Sequence, residues 1–227
     1  MFIEKYKHRV GSVCGKRQRF TLTELLVVMA IMAILMGMAL TPFQNILSSS
    51  GVDGAQRMLT SQLRMARQYA ISKRERVALL LPGPNNNLPD PMRFVAFRSC
   101  IVDKSNNFQR WIQNTEWNYV PTGSSIIEVA SSEPSGEYTS GGGVSGGKSV
   151  VDVSYDWNND ASTSPKTVNR AIIFEPTGRL SHSTAYVSVC EALYKNGSWT
   201  IRNGNNWIAV KINQFTGRVE VKRPGEA

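Results

Sequence analysis

The chain has 227 residues, 41% of them hydrophobic, which leaves room for one membrane element and one globular domain. Its formal net charge of +9 is lopsided, because Lys5, Lys7, Arg9, Lys16, Arg17 and Arg19 against Glu4 put +5 into the first 19 residues. The charge is therefore read as a topology signal that keeps the basic end in the cytoplasm, and it excludes whole-chain basicity as an argument for nucleic acid binding.

After the basic leader, residues 20–40 read Phe-Thr-Leu-Thr-Glu-Leu-Leu-Val-Val-Met-Ala-Ile-Met-Ala-Ile-Leu-Met-Gly-Met-Ala-Leu. At about 1.5 Å per residue such a run is long enough to cross roughly 30 Å of hydrocarbon. It carries a single acid, Glu24, near its start. An ionised side chain inside a span costs about 2.5–3.5 kcal/mol on insertion scales, so a partner for Glu24 is expected. A cleaved secretory signal would have a shorter apolar region followed by small residues, and Thr41-Pro42-Phe43 is not such a site. A plain single-pass anchor explains the length but leaves the Phe-Thr-Leu-Thr-Glu opening to chance. A lipoprotein reading at Cys14 fails because no apolar region precedes it.

Phe20 to Glu24 and the run behind them resemble the N-terminus of type IV pilins and type II secretion pseudopilins. The resemblance implies that a prepilin peptidase cuts between Arg19 and Phe20, that the new Phe20 amine is methylated, and that Glu24 serves assembly. The family has Gly immediately before the cut, and this chain has Arg19. Gly37 and Pro42 are expected to loosen the helix as a subunit leaves the bilayer.

Pro42 and Ser48-Ser49-Ser50-Gly51 are expected to weaken or interrupt the helix, dividing it into 20–48 and 49–74. In the second part Ala55, Leu59, Leu63, Ala66 and Ala70 recur every three or four residues, predicting an amphipathic helix whose stripe covers a sheet. From 75 to 227 the texture is β-rich, with strands predicted at 76–81, 92–98, 110–115, 126–129, 150–155, 170–174, 185–191, 206–212 and 218–222. The last two read as a hairpin with Gly217 at the positive-φ position. The Gly- and Ser-rich stretch 131–149 reads as a flexible surface loop. With Cys14 in the leader, Cys100 and Cys190 are either a disulfide in an oxidising compartment or two buried thiols, and both readings stand.

Residues 55–71, 76–80, Ile172 to Arg179 and Gly217 to Val221 look like the minor pseudopilin family of general secretion pathway protein H and its FimT relatives. The implied fold is α+β: a long N-terminal helix, membrane-embedded in its first half, on antiparallel β-sheet in the periplasm. The implied function is a structural subunit of a type II secretion pseudopilus or type IV pilus-like filament. Its implied partners are other subunits, the prepilin peptidase, the inner-membrane assembly platform and the cytoplasmic membrane, with no catalytic residues, cofactor or metal. FimT-like relatives add an alternative, DNA contact through Arg202, Lys211, Arg218, Lys222 and Arg223, against the plainer reading of a solvated strand face. An adhesin or sensor role for the inserted loops is a further alternative.

Several motifs invite an enzyme or metal reading and fail on context. Gly142 to Ser149 spells a P-loop, but an alternating strand pattern follows where a helix is required. Asp156, Asn158 and Asp160 begin like a calcium loop, yet Ala161 and Thr167 stand where Gly and the bidentate Glu belong. His182 lies between serines without an orienting acid, so a hydroxyl-rich turn is the preferred reading. Trp111, Trp117, Trp157, Trp199 and Trp207 read as core and sheet-face residues.

Overall fold

Helix α1 (Leu22–Lys73) runs without a break through Pro42 and Ser48 to Gly51, so the predicted interruption is corrected. A proline removes one backbone hydrogen bond, and Ser and Gly each cost under about 1 kcal/mol relative to Ala. Those penalties are local, whereas helix propagation is cooperative and the stretch from Val52 onward is held by packing. The helix ends at Arg74, whose φ of 55° is left-handed, and the Ser72 hydroxyl donates to the Tyr69 carbonyl within the last turn.

The computed structural model describes residues 21–83, 92–134, 136–139, 153–155, 166–168, 170–195 and 198–225, with the side chains of 38–50, 154–155 and 166–168 outside the description. The chain divides into two units, Met1–Phe43 and Gln44–Ala227.

Within the second unit the strands follow as β1 (Val77–Leu80), β2 (Ala96–Val102), β3 (Phe108–Trp111), β4 (Asn118–Tyr119), β5 (Ser125–Ala130), β6 (Val153–Tyr155), β7 (Lys166–Val168), β8 (Ala171–Phe174), β9 (Ala185–Lys195), β10 (Ser198–Ile212) and β11 (Val219–Lys222). One sheet has the order β3-β2-β1-β8 with β4 beside β2, a second the order β11-β10-β9-β5, and β6 pairs with β7. All described pairings are antiparallel.

The predicted stripe of α1 is the core-facing stripe. Val52, Ala55, Leu59, Leu63, Ala66 and Ala70 are fully buried, in one cluster with residues from both larger sheets. Strand alternation sorts the rest: Val77 and Leu79 face this cluster, while Ala78 and Leu80 belong to a second cluster on the opposite face with Cys100. In β5 the core contributors Ile126 and Val129 are three apart rather than two, because a register shift between Ile126 and Glu128 absorbs one residue.

Several predicted boundaries move. The strand placed at 92–98 begins at Ala96, because the chain turns first at Arg93 to Val95, with Phe94 at a φ of 62°. The strand placed at 110–115 is Phe108–Trp111. The strands placed at 185–191 and 206–212 are longer, β9 reaching Lys195 and β10 starting at Ser198, so that polar Asn203-Gly204-Asn205-Asn206 lies within β10. Register shifts at Ile201/Asn203 and Asn203/Trp207 accommodate those residues within the ladder. The strands β4 and β7 were not anticipated.

Candidate functional site

The first unit presents an apolar helical surface. Leu22, Leu25, Leu26, Met29, Met32 and Met36 are between 59% and 82% exposed. A helix apolar on every side requires lipid or other protein around it. Among the described residues no helix is long and apolar enough to cross a membrane, and the side chains of the run are described as far as Gly37.

Thr21 caps this helix, its hydroxyl oxygen accepting the Glu24 N–H at 3.2 Å. Thr21-Leu22-Thr23-Glu24 has the spacing of a capping box, with Glu24 in the first turn. Helix-terminal placement is worth about 0.3–1 kcal/mol to an acid at low ionic strength. That is smaller than the roughly 2.5–3.5 kcal/mol cost of a charge inside a span, so capping alone does not account for a carboxylate in this setting. The Glu24 side chain has no partner among the described residues. Arg19 and Phe20 lie outside the described residues, as do the side chain of Pro42 and the segments 140–149 and 156–160 with Trp157. A Cβ built at Gly37 would meet nothing within 4 Å, so space is not what demands glycine there.

Four of the five C-terminal cations pair with carboxylates of their own chain. Arg202 pairs with Glu191 at 3.8 Å, Lys211 with Glu220 at 3.7 Å, Lys222 with Glu133 at 3.6 Å and Arg223 with Asp53 at 3.0 Å. Of the five, only Arg218 makes no ion pair among the described residues.

Cys100 and Cys190 are both free and buried, which corrects the disulfide alternative in this structure. They sit on strands of different sheets and in different clusters, Cys100 with Ala78 and Leu80, Cys190 with Ile127 and Trp207. Burial pushes the Cys100 thiol well above its ordinary range and the Cys190 thiol up to about 12.

His182 is structural. Its Nε2 accepts the Ile173 N–H at 3.2 Å, and Nδ1 lies 2.9 Å from the Ser183 carbonyl, to which the Nδ1–H tautomer donates. Burial holds its pKa below the usual histidine value, partly opposed by the Ser183 hydrogen bond. Trp111 and Trp117 pack on the Cys100 cluster, Trp199 and Trp207 on the Cys190 cluster.

Two features were invisible to periodicity. Arg170 is 2% exposed, stacks over Phe94 at 5.2 Å, donates to the Ile126 carbonyl at 3.0 Å, and is pushed down to about 9 by burial. The other is a strap over the second sheet, formed by part of the stretch expected to be flexible. The Tyr138 N–H donates to Gly204, its hydroxyl to Glu128 at 2.7 Å, and the Trp207 indole N–H to the Gly136 carbonyl. Among the described residues no group of three or more His, Cys, Asp or Glu is arranged to hold a metal.

No curated protein matches the sequence. Among solved structures, the type IV minor pilin FimU of Pseudomonas aeruginosa is similar at 11% identity and a TM-score of 0.41, over 78% of this chain and 91% of that one. The minor pseudopilin EpsH from the type II secretion system of Vibrio cholerae is similar at 12% identity and a TM-score of 0.42, over 80% and 99% respectively. The model of the family described as type II transport protein GspH matches residues 55–217, from the core-facing part of α1 through both larger sheets to Gly217. On that match the chain belongs to the GspH family of pilin-like minor pseudopilins.

Proposed function

We propose that the chain is a filament subunit stored in the inner membrane and assembled through its N-terminal helix into a type II secretion pseudopilus. The observation carrying this reading is the pairing of an exposed apolar helix with an acid at its start, Glu24, that has no side-chain partner among the described residues. Removal of residues 1–19 by a prepilin peptidase would leave a positive amine on Phe20. Glu24 is four residues further, about 6 Å along a helix, and its carboxylate would attract that amine on a neighbouring subunit. Such a pair fixes axial register more than it adds net stability. Residues 25–40 would then exchange lipid for subunit contacts as the chain leaves the bilayer through the assembly platform, with Gly37 and Pro42 easing the transfer.

Processing tests the first step. After co-expression with the host's prepilin peptidase, the intact mass should correspond to a chain beginning at Phe20 with one added methyl group. A chain that retains Arg19 under these conditions contradicts the reading.

A further inference from the structure

We propose that the solvent face of α1 between Arg57 and Met65 is a docking seam for an acidic helix on a different protein subunit. The proposal rests on the filament reading and specifies one neighbour within it. Arg57-Met58 and Arg64-Met65 repeat at a spacing of seven residues, which stacks the two pairs about 10.5 Å apart on one face. Met58 is 37% exposed and Met65 38%, while Leu59, Leu63 and Ala66 between them supply the core contacts. The repeated pairs are therefore not explained by packing within the chain.

The charge on this face is uncompensated. Between Gly54 and Lys73 the sequence has no carboxylate, and Arg57 and Arg64 make no ion pair among the described residues. Elsewhere on the domain the rule is the opposite. Asp53, Glu75, Glu133, Glu175, Glu191 and Glu220 each engage a cation of their own chain.

That contrast selects the occupant. A second copy would bring the same cations to the seam, and its described carboxylates are already engaged apart from Glu24, Glu116 and Glu137, which lie in three separate segments and offer no two carboxylates one heptad apart. Nucleic acid or a lipid surface would satisfy the charge but would gain little from covering the methionine thioethers. Arg together with Met is the composition of protein interfaces. A partner helix with carboxylates one heptad apart would meet both Arg–Met pairs at once.

The test uses the full-length chain in cells carrying the complete filament system, with a photo-crosslinking residue at Ser61 in one strain and at Met29 in another. The Ser61 strain should yield an adduct with a different pilin-like subunit, identified by mass spectrometry. Arg57→Glu with Arg64→Glu should reduce the yield at least fivefold, and reversing the partner's crosslinked carboxylates to Lys should restore it. Thermal unfolding of the purified charge-reversed chain should match wild type, and a collapsed fold would be replaced by Arg57→Gln with Arg64→Gln. A Ser61 adduct only with itself, with lipid or with DNA, no protein adduct at all, or a yield insensitive to the reversal would overturn the proposal. The Met29 strain separates the two claims: adducts there but not at Ser61 leave the filament reading intact, whereas none at Met29 removes it.

Discussion

Arg67, on the α1 turn preceding Ile71, donates its Nε–H to the carbonyl oxygen of Gly178 at 3.1 Å, across 111 residues of sequence. Gly178 has a φ of 81° and Gly217 a φ of 61°, and a Cβ on Gly217 would crowd both the Gly178 carbonyl and the Arg67 side chain. One arginine thus ties the helix to the turn after β8 and lies close against the turn after β10.

Substituting Gly178 by Ala should destabilise the domain by roughly 1–3 kcal/mol, because a side chain is strained at positive φ. The added Cβ would also lie 2.6 Å from Ile71 Cδ1. Urea unfolding followed by circular dichroism measures this directly. Arg67→Lys should recover only part of an Arg67→Ala loss, since an ammonium on a flexible stem does not reproduce the planar guanidinium donor.

The His182 hydrogen bonds predict the sign of a pH effect. The ring accepts a backbone N–H, so protonation removes an acceptor, and burial already lowers its pKa in the folded state. The unfolded chain therefore binds more protons in this range. Stability from this group is present above about pH 6.5 and is lost as pH falls through the lower folded pKa. His182→Ala should cost about 1–3 kcal/mol at pH 7, by leaving the Ile173 N–H unsatisfied. The difference from wild type should narrow toward pH 5.

Both described thiols should be inert in the native domain. Buried Cys100 and Cys190 should react with an aromatic disulfide reagent only after unfolding, and mobility in denaturing gels should be the same with and without reductant. A mobility shift on reduction would show that the two thiols pair in the purified protein.

Local patterns made much of this architecture legible. The three- and four-residue spacing from Ala55 to Ala70 identified the buried stripe, and Gly217 announced the turn after β10. What sequence did not disclose depends on distant partners. α1 continues past Pro42, whose local penalty does not end a cooperative helix, and the bulges in β10 make strand out of an Asn-rich stretch. The burial of Arg170 requires Phe94 and Ile126, brought together only by the fold. At the candidate site the reverse holds, since Glu24 stands out by chemistry alone: an acid in an apolar run.

On the proposed function, Glu24 directs assembly rather than insertion. Its most direct measurement is the incorporation of Glu24→Ala into sheared filaments, with membrane fractionation as the control in the same cells. The variant should be membrane-inserted and correctly processed, with its incorporation reduced at least tenfold. Unchanged incorporation of Glu24→Ala would contradict it.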